Sequence, residues 1–189
     1  MSNTDKLRED VAYVRAVAQR SGPGQPTATF VFWAAVALIG FALVDFASDP
    51  RWIGWYWTVA APLGVVISAW LGIRHSRRVG QTDSWEGIRW GLHWLSFLGV
   101  GLLCSVLVAT EQLTWSGYSS IWLLLLALTY SLAGLHLDRR LLAIGLVAGV
   151  GYVITLFVPD YGWTITGVLF AAALLTLGYL ELTPRDQTS

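Results

Sequence analysis

The side chains of this chain with chemistry to offer are three histidines and the charged residues around them. Glu86, Arg89 and His93 are spaced i, i+3 and i+7, which lays them along one face of a helix, and Ser96 continues that face. His75 and His136 each end an apolar segment beside arginines, and Asp83 and Asp138 fall in the adjoining short loops. An imidazole titrates near neutral pH, and a polar side chain held among apolar ones must find a partner. Three roles fit. His93 can be a structural histidine bonded to a neighbouring carbonyl or to Glu86. His93, Arg89, Glu86, His75, His136 and Asp138 can form a proton- or ligand-responsive cluster. Or His75, His93 and His136 can hold a metal or haem. The third has least support: haem in a helical bundle wants two facing histidines, only His93 lies clearly inside an apolar segment, and the spacing is not local.

Other reactive types are scarce. Cys104, the one cysteine, sits in an apolar run, so there is no internal disulfide or multi-cysteine metal motif, and a packing role fits it. Asp45 ends the first apolar segment, where it can reach the interface or attract a cation. No P-loop, Gly-x-Gly-x-x-Gly, Gly-x-Ser-x-Gly or His-Glu-x-x-His occurs, which points away from those enzyme classes. No motif calls for a cofactor.

The elements that position these residues follow from hydropathy. Of 189 residues, 55% are hydrophobic and 13% charged; soluble domains carry about a quarter charged. Mean hydropathy is +0.57. A water-exposed surface of this composition would aggregate, so the expected solvent is a lipid bilayer. Net charge is zero, with no basic excess to attract nucleic acid. Six apolar segments, 27–47, 52–73, 87–109, 118–136, 141–158 and 162–182, each come close to the roughly 20 residues that cross a bilayer. Their apolar runs are continuous rather than alternating, which argues against a barrel. The expected fold is an all-α membrane protein, a six-helix transmembrane domain over 27–182. A short amphipathic helix over 4–21 precedes it, with Leu7, Val11, Val14 and Ala18 on one stripe and the Gly22–Pro26 linker as its stop; residues 1–26 form this leader and linker, and 183–189 a tail. No cleavable-leader pattern precedes the first apolar segment, which is therefore expected to be retained.

Basic residues orient the chain. With the N-terminus in the cytosol, Lys6, Arg8, Arg15, Arg20, Arg74, Arg77, Arg78, Arg89, Arg139, Arg140 and Arg185 all lie inside and Arg51 alone outside. Both termini are then cytosolic. Trp52, Trp55, Trp57, Trp115, Trp122, Tyr161 and Trp163 would line the outer interface, and Trp70, Trp85, Trp90 and Tyr179 the inner one. Small residues at four-residue spacing (Gly64, Ser68 and Gly72; Gly87 and Gly91; Gly101 and Ser105; Gly145 and Gly149; Gly167 and Ala171) suit close helix packing within the bundle, or a homodimer face. Pro62 predicts a kink in the second segment. Gly72–Arg78 and Gly134–Arg140 share the pattern Gly, four residues, Arg-Arg, which two stop-transfer ends would produce as readily as a duplicated hairpin.

The stretches Asp10–Arg15, Gly40–Phe46 and Gly134–Arg140 together resemble a group of small bacterial membrane proteins of uncharacterised activity. The resemblance implies a bacterial cytoplasmic (inner) membrane location and carries over no functional residues. The tryptophan content is also similar to that of the tryptophan-rich sensory proteins, but those have five spans and a different motif order. The functional expectation is a non-enzymatic sensor, scaffold or partner subunit, with residues 4–21 available to a protein partner. A small transporter or channel with a cytosol-facing polar site near His93 is the alternative, and a metal or haem enzyme the least supported class.

Overall fold

The computed structural model describes Val11, residues 26–79 and residues 84–182. Those residues are all-helical, with six helices and no strand among them: α1 Thr27–Phe46, α2 Arg51–Val79, α3 Ser84–Ala109, α4 Trp115–His136, α5 Leu141–Phe157 and α6 Gly162–Leu182. All but α5 are long and apolar enough to cross a membrane; α5 is apolar but has 17 residues. The expected segments therefore reappear as helices. The main difference is α2, which runs six residues past its apolar stretch through Arg74, His75, Arg77 and Arg78. Its 29 residues make a rod of about 44 Å against about 30 Å of hydrocarbon, so the basic turn can extend into the headgroup region. The helix continues through Pro62, on its exposed side. The leader over 4–21 (Val11 apart), Asp83 and the tail lie outside the described residues, as does the side chain of Glu86.

Helix packing makes a row. α1 packs along α6, α6 along α5 and α5 along α4; α2 touches only α1, and α3 touches only α4. The order is α2–α1–α6–α5–α4–α3, with two consecutive helices at its opposite ends. A straight row at normal helix spacing would part those ends by about 45 Å. The link of residues 80–83 reaches at most about 18 Å. The row must therefore curl into an arc, open between α2 and α3.

Aromatic rings link five of the helices. A chain of aromatic contacts, edge-on except for the tilted Trp57–Phe41 pair, runs Trp57–Phe41–Phe170–Tyr130–Trp94–Phe97–Trp122, with centroids 5.1–6.4 Å apart, and joins α2, α1, α6, α4 and α3. The four middle helices hold the core, with Leu123, Ala133, Ile144, Ala148, Leu174 and Thr166 almost fully enclosed. Thr166 Oγ1 shares its proton between the carbonyls of Gly162, one turn back, and Gly151 on α5. Trp52, Trp55, Trp70, Trp85 and Trp115 are exposed. Trp33, Trp57, Trp90, Trp94 and Trp163 instead pack on the core.

Glycines let these rings in. Trp33 lies over Gly64, Trp57 over Gly40 and Trp122 over Gly101, so a methyl group at any of these positions would overlap the indole. Ser68, next on the Gly64 stripe, accepts a hydrogen bond from Trp33 Nε1 at 2.8 Å. Gly145 meets the α4 backbone at Ser131, and Gly134 meets Leu142 on α5. Close packing thus uses Gly64, Ser68, Gly101, Gly145 and Gly167, whereas Gly72, Gly87, Gly91 and Gly149 face open space.

Candidate functional site

The polar face of α3 lies against α4. His93 is half-buried, and its Nε2 is 3.1 Å from the carbonyl oxygen of Thr129. A carbonyl only accepts, so Nε2 carries the proton. The imidazole also meets the ring of Trp94 edge-on at 5.5 Å, and Trp94 in turn packs on Tyr130. One helical turn earlier on the same face, Arg89 Nη2 donates to the carbonyl of His136 at 3.3 Å. That carbonyl belongs to the last turn of α4, where backbone acceptors have no donor within the helix. Arg89 thus caps α4 from a neighbouring helix. The i, i+3, i+7 face reaches two α4 carbonyls seven residues apart, which share one face of that helix by the same geometry.

Of the six sequence candidates, the structure brings three together: Arg89, His93 and the backbone of His136. The His136 ring is exposed. Asp138 lies in the next turn, where its Oδ1 accepts the Arg140 backbone N–H at 3.0 Å and starts α5. His75 is half-buried near the end of α2, a helix that makes no contact with α3 or α4. No group of three or more His, Cys, Asp or Glu side chains among the described residues is placed to hold a metal.

Two polar contacts escaped sequence reasoning. Asp45 Oδ2 accepts both the backbone N–H and the Oγ1–H of Thr164, each at 2.6 Å. It supplies from α1 the N-terminal cap that α6 lacks in its own sequence, where Tyr161, at φ 64°, turns the chain into the helix. The available signal was an acid at one helix end and, at the start of α6, no Ser, Thr, Asp or Asn immediately before Gly162. The second contact is the ion pair Arg140 Nη1–Glu181 Oε1 at 2.6 Å, which ties the α4–α5 turn to the end of α6. An even number of intervening helix ends puts both residues at the same end of the bundle, so this pairing was open to inference from topology.

The described residues include a concavity of which His93 is not part. It is shallow, about 420 Å³, and lined by Trp70, Ile73, Arg74, Arg77 and Arg78 at the end of α2. No family model, curated protein or solved structure matches the chain.

Proposed function

We propose that this chain is a six-span module of the bacterial cytoplasmic membrane, with both termini in the cytosol, that acts without catalysis as a sensor, scaffold or partner subunit. The observation that carries the reading is the unequal burial of its helices. The middle four form a filled core, while α2 and α3 each pack on one neighbour and leave most of their surface free. Such flanks suit contact with other membrane components. Residues 4–21 and the open faces at Gly72, Gly87 and Gly91 are the surfaces offered to a protein partner or a second copy.

The six-span count draws support from α5. At about 26 Å it is short for lipid. α4 and α6 pack against it and bury Leu141, Ile144, Gly145, Ala148 and Gly151, so protein replaces part of the lipid around it. The links on either side, 137–140 and 158–161, are four residues each, as antiparallel hairpins require. The inside orientation rests on the eleven-to-one division of basic residues.

A small transporter is the second reading, favoured by the opening between α2 and α3 and by Pro62 in α2. Thiol access separates the two. In a Cys104→Ser background, His93→Cys would be challenged in inverted vesicles with a membrane-impermeant maleimide. The module reading expects that position to stay unlabelled while a control cysteine at Arg77 reacts fully. Rapid labelling at 93 would mean a water-filled path from the cytosol and would favour transport.

A further inference from the structure

We propose that the end of α2 is a binding site for an anionic phospholipid of the cytosolic leaflet. Trp70, Ile73, Arg74, Arg77 and Arg78 line the concavity there, and their spacing of i, i+3, i+4, i+7 and i+8 makes them one continuous helix face. The face is exposed at all five residues, while α2 meets α1 through Tyr56, Trp57, Gly64 and Ser68. Trp70 and Ile73 are more than half exposed, and Val66 and Leu63 continue the apolar strip toward the middle of the helix. From the middle outward the strip reads aliphatic, then indole, then three guanidiniums. That is the order of an acyl chain, a glycerol backbone and a phosphate.

No acid whose side chain the structure describes lies at this site. Those acids are Asp45, Asp49, Glu111, Asp138, Asp160 and Glu181. Asp45 and Asp49 lie at the other end of α2, and the remaining four lie on or beside helices that α2 does not touch. Arg74 stacks its guanidinium over the Trp70 ring at 5.2 Å, which holds the cation at the rim of the concavity. Guanidinium binds phosphate oxygens through paired donors. A bilayer supplies anionic phosphates at this depth, whereas free phosphate would leave the apolar strip unused.

The inference rests on the membrane reading, with α2 ending at the cytosolic face. The test is native mass spectrometry of the full chain released from dodecyl maltoside micelles, with phosphatidylglycerol and phosphatidylcholine of identical acyl chains added in turn. The wild type is expected to retain phosphatidylglycerol over phosphatidylcholine. Arg77→Gln should weaken that retention about fivefold, and the triple variant Arg74→Gln/Arg77→Gln/Arg78→Gln about a hundredfold. Arg139→Gln, at an exposed arginine in the α4–α5 turn, should leave it unchanged. Equal retention of the two lipids by the wild type, or undiminished retention by the Arg77→Gln protein, would overturn the site. Complete displacement of the lipid by millimolar inorganic phosphate would overturn the lipid assignment in favour of a soluble anion. Failure of the membrane reading would look different: the chain would stay monodisperse without detergent.

Discussion

Replacing Asp45 tests whether α1 and α6 are locked by a shared cap. One carboxylate oxygen accepts two hydrogen bonds at 2.6 Å, from the Thr164 backbone and from its hydroxyl, in a half-buried position. Asp45→Ala removes an N-terminal cap, worth about 1 kcal/mol in typical helices and up to about 2. It also leaves a partly enclosed N–H and hydroxyl without their acceptor, at about 1–3 kcal/mol when water does not replace it. The two costs overlap at the N–H, so the expected loss is about 2–3 kcal/mol. Asp45→Asn keeps an acceptor oxygen and gives up only the charge facing the helix N-terminus, about 0.3–1 kcal/mol. The assay is thermal unfolding in dodecyl maltoside, followed by far-ultraviolet circular dichroism, with Thr164→Val as the partner variant. In a double-mutant cycle, Asp45→Ala and Thr164→Val should be strongly non-additive, because Thr164→Val already removes one of the two donors. An Asp45→Ala protein as stable as wild type would refute the reasoning and would return Asp45 to a solvent-facing role at the membrane surface.

Gly64→Ala should destabilise by about 1–3 kcal/mol, since its methyl would stand about 2.6 Å from the Trp33 ring, whereas Gly72→Ala and Gly91→Ala face open space and should be neutral or slightly stabilising in the same melts. Glu111 closes α3 in the left-handed region at φ 58°, with Gln112 N–H on the Leu107 carbonyl and Glu111 N–H on that of Val108; Glu111→Gly should raise stability by about 0.5–1 kcal/mol, and a lower melting temperature would contradict that. Glu181→Gln should cost about 1–2 kcal/mol by weakening its bond to Arg140, and Arg140→Gln in the same protein should add little further loss. His93→Ala should lower stability by about 1 kcal/mol through the lost Thr129 contact, and His93→Gln, which can still donate, should recover part of it.

Most of the helix pattern was legible because lipid makes a simple demand: about 20 apolar residues in succession, closed by polar ones. Thr27–Phe46 and Gly162–Leu182 match their hydropathy segments to within a residue. The added length of α2 was not legible in hydropathy, because Arg74–Val79 is polar and continues helical through propensity and the basic last turn rather than through burial. The lateral order of the helices was not legible either. Continuous apolar runs give no dominant face, so nothing in the pattern tells α1 to prefer α6 over α3. Small residues identified several close contacts but not which of them would be used: Gly64 and Gly101 accept rings, while Gly87 and Gly91, equally well spaced, accept nothing. At the candidate site, the shared face of Arg89 and His93 was readable from spacing, but its acceptors are backbone carbonyls of α4, and every helix offers those. Gly72–Arg78 and Gly134–Arg140 end helices of different standing, one at the edge of the arc and one between two neighbours, which weakens the case for a duplicated hairpin.

The two flank helices are fastened in the same way, and this bears on what His93 is for. Apolar side chains gain little by leaving lipid for protein, so a helix at the edge of a bundle is held by close contact and by hydrogen bonds. α2 meets α1 through Trp33 Nε1 to Ser68 Oγ, Tyr56 Oη–H to the Val36 carbonyl, and indoles seated over Gly40 and Gly64. α3 meets α4 through His93 to the Thr129 carbonyl, Arg89 to the His136 carbonyl, and an indole seated over Gly101. Each flank thus has two interhelical hydrogen bonds and at least one ring in a glycine notch. At the α1–α2 seam the donors are the Trp33 indole of α1 and the Tyr56 phenol of α2, which have no acid–base role near neutral pH; at the α3–α4 seam they are an imidazole and a guanidinium, both on α3. The parallel makes His93 a fastener first. Any response to protons or ligands would have to act by loosening α3 from α4, at the edge of the arc that faces the opening.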